Sequence, residues 1–127
     1  MRVNMLEETI IEEVTKIIKV AETKIMEEMS IQYLADSLCY SEQQVRLVFK
    51  IAAGQTIGQY LKRRYLTQIY LTIGSDAYNK LKRTAAVMGC GRYKQKMEHF
   101  FGKEIDDDKL QRPLTTEQMR INLFDLE

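Results

Sequence analysis

The length and composition of the chain exclude several classes of protein. Its 127 residues suffice for one domain or two very small ones, and 45% hydrophobic with 29% charged residues is typical of a globular protein. One proline and six glycines are too few for the turns of an all-β protein, and no apolar run reaches the roughly 18 residues of a membrane span. No signal peptide is recognised at the N-terminus, and the two cysteines are expected to be reduced, which predicts a cytoplasmic protein.

The net charge of +1 is an average over unlike segments. Residues 1–29 hold seven acidic and four basic side chains, and residues 104–127 hold seven and three. Residues 41–103 hold twelve basic and only three acidic side chains, a net charge of +9. This asymmetry predicts a basic surface with acidic flanks, as in proteins that bind nucleic acids, although ordinary lysine-rich solvated helices would give the same pattern.

The first predicted element is an amphipathic helix over about 5–21, where apolar residues recur at helical spacing. Asn4 and Glu7 form a capping-box pattern at its start. Residues 23–29 either extend this helix or form a loop that packs onto it. Capping residues then precede three further predicted helices: Ser30 before 31–38, Ser41 (with Gln44) before a helix that ends near Gly54, and Thr56 (with Gln59) before 57–73.

Two more helices are predicted in the second half, from about 77 to 88 and from about 92 to 101, each followed by a glycine. A short acidic turn follows at 106–111. Pro113 is expected to end the organised part, leaving a tail with one or two helical turns. No segment alternates with a period of two residues, so the predicted fold class is all-α.

The stretch IQYLADSLCYSEQQVRLVFK, residues 31–50, has the pattern of a helix-turn-helix. Ala35 is small where two steeply crossing helices approach, Cys39 is a small residue in the turn, and Val45 is apolar where the second helix docks. An ordinary helical corner would share these features.

The second helix has one apolar face (Val45, Val48 and Phe49) and one polar face (Gln43, Arg46 and Lys50). Arg and Gln form paired hydrogen bonds with guanine and adenine edges in the major groove, and Lys suits a phosphate.

A second copy of this layout begins fifty residues later, with Ala85 and Gly89 at the positions of Ala35 and Cys39. Together with LADSLCYSEQQVRLVFK, GQTIGQYLKRR and FFGKE, this repeat resembles the DNA-binding domain of the AraC/XylS family of bacterial transcription regulators, over roughly residues 6 to 112. In length the chain is similar to the stand-alone members of the MarA/SoxS type.

The resemblance implies two helix-turn-helix subdomains joined by a long linker helix. The corresponding segments are 1–55 for the N-terminal helix and first helix-turn-helix, 56–74 for the linker, 75–112 for the second helix-turn-helix, and 113–127 for the tail. It also implies double-stranded DNA as the partner, bound by a monomer in successive major-groove segments, with RNA polymerase as a further partner of activators.

The polar faces of the two units and the resemblance together give the candidate site residues. Those expected to read bases are Gln43, Gln44, Arg46, Arg92, Gln95 and Lys96. Those expected to hold phosphates are Ser41, Lys50, Lys62, Arg63, Arg64 and Lys94.

The chain departs from the family pattern in both units. Leu47 stands at a base-facing position where members often carry Arg, and Arg46 is expected to substitute. The second unit is about three residues shorter than usual, which predicts that Tyr93, Met97 and Phe100 point inward. With these departures, the unit is expected either to make mainly electrostatic contacts or to have diverged from DNA binding. A protein-interaction module that keeps the fold but has lost DNA reading is therefore the alternative function.

No motif indicates an enzyme, a cofactor or a metal. His99 is the only histidine and is expected to be a partly buried structural residue, and two cysteines with one distant histidine do not make a zinc site. The aspartates at 106–108 are acidic residues in a first helical turn, although a cation could also bind there.

Overall fold

The computed structural model describes residues 2–25, 29–71, 95, 97–99, 101–102, 105 and 107–121. Four α-helices are α1 (Arg2–Thr23), α2 (Ile31–Leu38), α3 (Glu42–Ala53) and α4 (57–71). Residues 95, 97–99 and 101 are also helical, and two 3₁₀ helices span Asp107–Lys109 and Thr116–Gln118. These described segments contain no β-strand, which confirms the predicted all-α class.

Two compact units make up the chain. The first comprises Met1–Leu61 and Pro113–Glu127, and the second comprises Lys62–Arg112. The division falls within α4. It differs from the predicted segments, because the C-terminal segment belongs to the same unit as the N-terminal helices.

The core of the first unit lies where α1, α2 and α3 pack on one another. The apolar face of α1 contributes Ile10, Val14, Ile17, Ile18 and Ala21, all buried. This face has the spacing of three and four residues that predicted the helix. Helix α1 begins at Arg2, however, so Asn4 lies inside it and the predicted capping box is wrong. The helix ends at Thr23 with a turn, and Met29 packs against the core, as the loop alternative predicted.

Local capping sets the bounds of α2 and α3. The Ser30 hydroxyl accepts from the Tyr33 N–H at 3.0 Å, and the Ser41 hydroxyl accepts from the Gln44 N–H at 3.0 Å. Gly54 ends α3 in the left-handed conformation, with φ of 71°. These bounds agree with the sequence because each cap is formed within a few residues of chain.

The turn between α2 and α3 places Cys39 in the left-handed region, with φ 58° and ψ 34°. Its N–H donates to the Asp36 carbonyl at 3.3 Å, and the Tyr40 N–H donates to the Ala35 carbonyl at 2.9 Å. This pair of bonds is a Schellman motif, in which glycine is the usual left-handed residue. Cys39 therefore adopts a backbone conformation that is costly for a residue with a Cβ atom.

The C-terminal segment is part of the first unit's core, which differs from the expected tail beyond Pro113. Met119 is buried, and Leu114 and Ile121 pack against the same cluster. The Leu114 N–H donates to the Tyr60 hydroxyl at 3.0 Å, and the Arg120 N–H donates to the Ala52 carbonyl at 3.0 Å. The second of these bonds satisfies a carbonyl in the last turn of α3, which the helix itself leaves without a partner.

The second unit has its own small core. Leu66 of α4, Met97 and Phe101 are buried together, with Ile69 and Tyr70 packed against them. Gly102 follows this helical segment with φ of 85°, and its N–H donates to the Glu98 carbonyl, as predicted for a glycine just past a helix. The segments predicted at 77–88 and around Gly74, Ala85 and Gly89 lie outside the described residues.

Candidate nucleic-acid interface

Helix α3 divides its side chains between the core and solvent. Val45, Val48 and Phe49 are buried, and the Phe49 ring lies 4.9 Å from the Tyr60 ring, centroid to centroid, in a tilted arrangement. Gln43 and Arg46 are exposed on the other side of the helix. The predicted apolar and polar faces of this helix are therefore both present.

An open groove of about 570 Å³ lies along the outer face of α3. Five of its lining residues come from α3 and two from the start of α4: Glu42, Gln43, Arg46, Leu47, Lys50, Thr56 and Ile57. Thr56 caps α4, because its hydroxyl accepts from the Gln59 N–H at 3.1 Å. That cap fixes the first turn of the helix whose start lines the groove.

The ion pair and the hydrogen bond that the charged groove residues form within the protein are both weak. The Arg46 Nη2 atom lies 3.5 Å from the Glu42 Oε1 atom, and the two side chains are 58% and 41% exposed. An exposed ion pair one helical turn apart contributes less than about 1 kcal/mol, so an external acceptor can compete for the guanidinium. The Lys50 ammonium donates to the Gly54 carbonyl at 3.4 Å, a long hydrogen bond.

Three predicted site residues of the first unit meet at this groove: Gln43, Arg46 and Lys50. Gln44 is half-buried and is not among the lining residues, and the exposed Ser41 caps α3 with its hydroxyl oxygen. Leu47, the base-facing position in the family resemblance, lines the groove and is 37% exposed. Sequence reasoning missed Glu42, although its spacing of four residues from Arg46 is the signal for such an ion pair.

The prediction that Arg64 holds a phosphate is wrong. This side chain is only 3% exposed, and its Nη1 atom donates to the Gln111 carbonyl at 2.9 Å. The Gln111 N–H in turn donates to the buried Thr67 hydroxyl at 2.9 Å. Arg64 therefore stabilises the packing of the segment around Gln111 on α4. It is too buried to bind an external anion. Lys62 and Arg63 are half-buried.

In the predicted recognition helix of the second unit, Arg92, Lys94 and Lys96 lie outside the described residues. Gln95 is helical and exposed, as a base-reading residue must be. Met97 is buried as predicted, whereas Tyr93 and Phe100 are outside the described residues. His99, expected to be partly buried, is exposed.

The described part of the chain offers neither a metal site nor a membrane-spanning helix. It contains no group of three or more His, Cys, Asp or Glu side chains placed to hold a metal ion. None of the helices described is long and apolar enough to cross a membrane.

Comparison with known proteins gives no relative: no protein-family model, curated protein or solved structure matches this chain.

Proposed function

We propose that this chain is a sequence-specific, double-stranded-DNA-binding transcription regulator of the bacterial cytoplasm, similar to the AraC/XylS type, with α3 as a recognition helix. The observation that supports this most is the grouping of Gln43, Arg46 and Lys50 around one open groove on the outer face of α3. Gln and Arg supply the paired donors and acceptors that distinguish adenine and guanine in the major groove. Lys50 supplies a positive charge for a phosphate.

The local geometry leaves these side chains available. Arg46 is exposed and its pairing with Glu42 is weak, so it can exchange that carboxylate for a guanine edge at small cost. The helix that carries it is fixed at both ends by Ser41 and Gly54, and on its inner face by buried Val45 and Phe49. A rigid helix with an exposed polar face loses little conformational entropy when it enters a groove of DNA.

An electrophoretic mobility-shift assay with genomic fragments at low salt tests the proposal. We expect Arg46→Glu to abolish specific binding while the circular dichroism spectrum remains that of the parent. Lys19→Glu on the exposed side of α1 is the matched control, because it changes the net charge equally at a residue outside the groove. Absence of binding to any fragment by the parent protein would contradict the proposal.

The phosphate contact has a separate signature. Lys50→Ala is expected to weaken binding to all sequences alike and to make the dependence of log K on log salt shallower by about one unit. A change in sequence preference without a change in that slope would show that Lys50 does not contact a phosphate.

The second candidate function is a protein-interaction module, and the absence of Arg at position 47, where the resembled family often carries it, favours it. Pull-down from nuclease-treated lysate discriminates the two. A stoichiometric protein partner that is retained without DNA and lost with Leu47→Ala would favour the module over the regulator.

A further inference from the structure

Leu47 is an exposed apolar side chain among polar and charged neighbours. Among the residues that the structure describes, the other large apolar side chains with comparable exposure are Met5 and Leu6 on α1, Tyr33 on α2 and Leu71 on α4, and none of these lines the groove. Ile57 does line it but is only 1% exposed. Of the described residues that line the groove, Leu47 is therefore the one large apolar side chain exposed to a ligand.

The neighbours of Leu47 limit what that ligand can be. Leu47 follows Arg46 directly, and it lies four residues after Gln43 and three residues before Lys50. At 3.6 residues per turn, these spacings place it on the same face of α3 as Gln43 and Lys50. A protein partner that anchors on apolar contacts needs a cluster of such side chains at the centre of its interface. A single leucine between a guanidinium, an amide and an ammonium group instead matches a ligand with one small apolar group among hydrogen-bonding groups.

The major groove of DNA has this character wherever a thymine occurs. Thymine presents a C5-methyl group beside the O4 acceptor, and neighbouring purines present N7 and O6 or N6 groups. We propose that Leu47 is a specificity-determining residue that contacts the C5-methyl group of a thymine next to the base read by Arg46. This inference rests on the proposed function of α3 as a recognition helix.

The test removes one methyl group at a time. Duplexes are selected from a random pool with the parent protein, and each thymine of the resulting consensus is replaced singly by deoxyuridine. We expect one such replacement to weaken binding about fourfold, the value of removing one buried methyl group from an apolar contact. Leu47→Ala should bind the parent duplex less tightly and should be indifferent to that replacement. Leu47→Met, which keeps an apolar side chain of similar volume, should remain sensitive.

Leu6→Ala is the matched control, because Leu6 is 44% exposed on α1 and lies outside the groove. This variant should retain the full sensitivity to deoxyuridine. A complementary selection with Leu47→Arg should replace the sensitive T·A pair by a G·C pair, since Arg prefers the two acceptors of guanine.

The possible results separate this inference from the proposed function. If the pool yields no consensus, the proposed function fails, and the inference fails with it. If a consensus emerges but no thymine is sensitive to loss of its methyl group, or if Leu47→Ala keeps that sensitivity, Leu47 is not a methyl reader while DNA binding by α3 stands. Sensitivity at one thymine that disappears in Leu47→Ala but persists in Leu47→Met and Leu6→Ala supports the inference.

Discussion

Replacing Met119 by alanine tests whether the C-terminal segment belongs to the first unit's core. Met119 is 5% exposed and packs in the cluster that includes residues of α1, α2 and α3. Truncation of a buried methionine typically costs 2–5 kcal/mol. Because residues 119–121 have no regular secondary structure and can partly collapse into the space, we expect a loss of about 2–3 kcal/mol in the free energy of unfolding.

Met5→Ala is the matched control, because the same atoms are removed from a side chain that is 69% exposed. This change should alter the free energy of unfolding by less than about 0.5 kcal/mol. Both values are measured by urea denaturation followed by far-ultraviolet circular dichroism, with the same slope in the two variants. Equal stability of the two variants would refute the packing of the C-terminal segment on the helices.

Substitutions at three further positions test single local features by the same denaturation assay. Cys39→Gly should stabilise the protein by about 0.5–1 kcal/mol by relieving the left-handed backbone at φ 58°, and a loss of stability would show that this turn is not strained. Ser41→Ala should cost about 1 kcal/mol and Ser41→Gly only a few tenths, so equal losses would argue against the cap at the start of α3. Arg64→Met should cost about 2 kcal/mol by leaving the Gln111 carbonyl without its charged donor, while the salt dependence of DNA binding stays unchanged; a shallower dependence would restore a phosphate role.

Sequence reasoning located the helices of the first unit well because the signals were local. Ser30, Ser41 and Thr56 each cap the helix predicted for them, and Gly54 ends α3. A cap depends on residues three or four positions away, and so it is visible in a short window of sequence. The outward grouping of Gln43, Arg46 and Lys50 followed from helical spacing alone.

The errors arose where contacts join distant parts of the chain. The local sequence does not distinguish Arg64 from an exposed basic residue, whereas in the structure it is 3% exposed and bonded to Gln111, 47 residues later. The contacts of Met119 and Arg120 with α3 and its neighbours are likewise invisible in a window of sequence. Helix α1 begins at Arg2, two residues before the capping pattern at Asn4, so that pattern does not mark the start of the helix.

A chemical-shift titration of ¹⁵N-labelled protein with a selected duplex locates the surface of the protein that contacts DNA. We expect the largest changes among the first-unit amides to fall on α3 around Gln43, Arg46, Leu47 and Lys50. A scrambled duplex of equal length should give smaller changes that vanish with added salt. Changes centred on the exposed side of α1, at Met5 and Leu6, with α3 unaffected, would contradict this expectation.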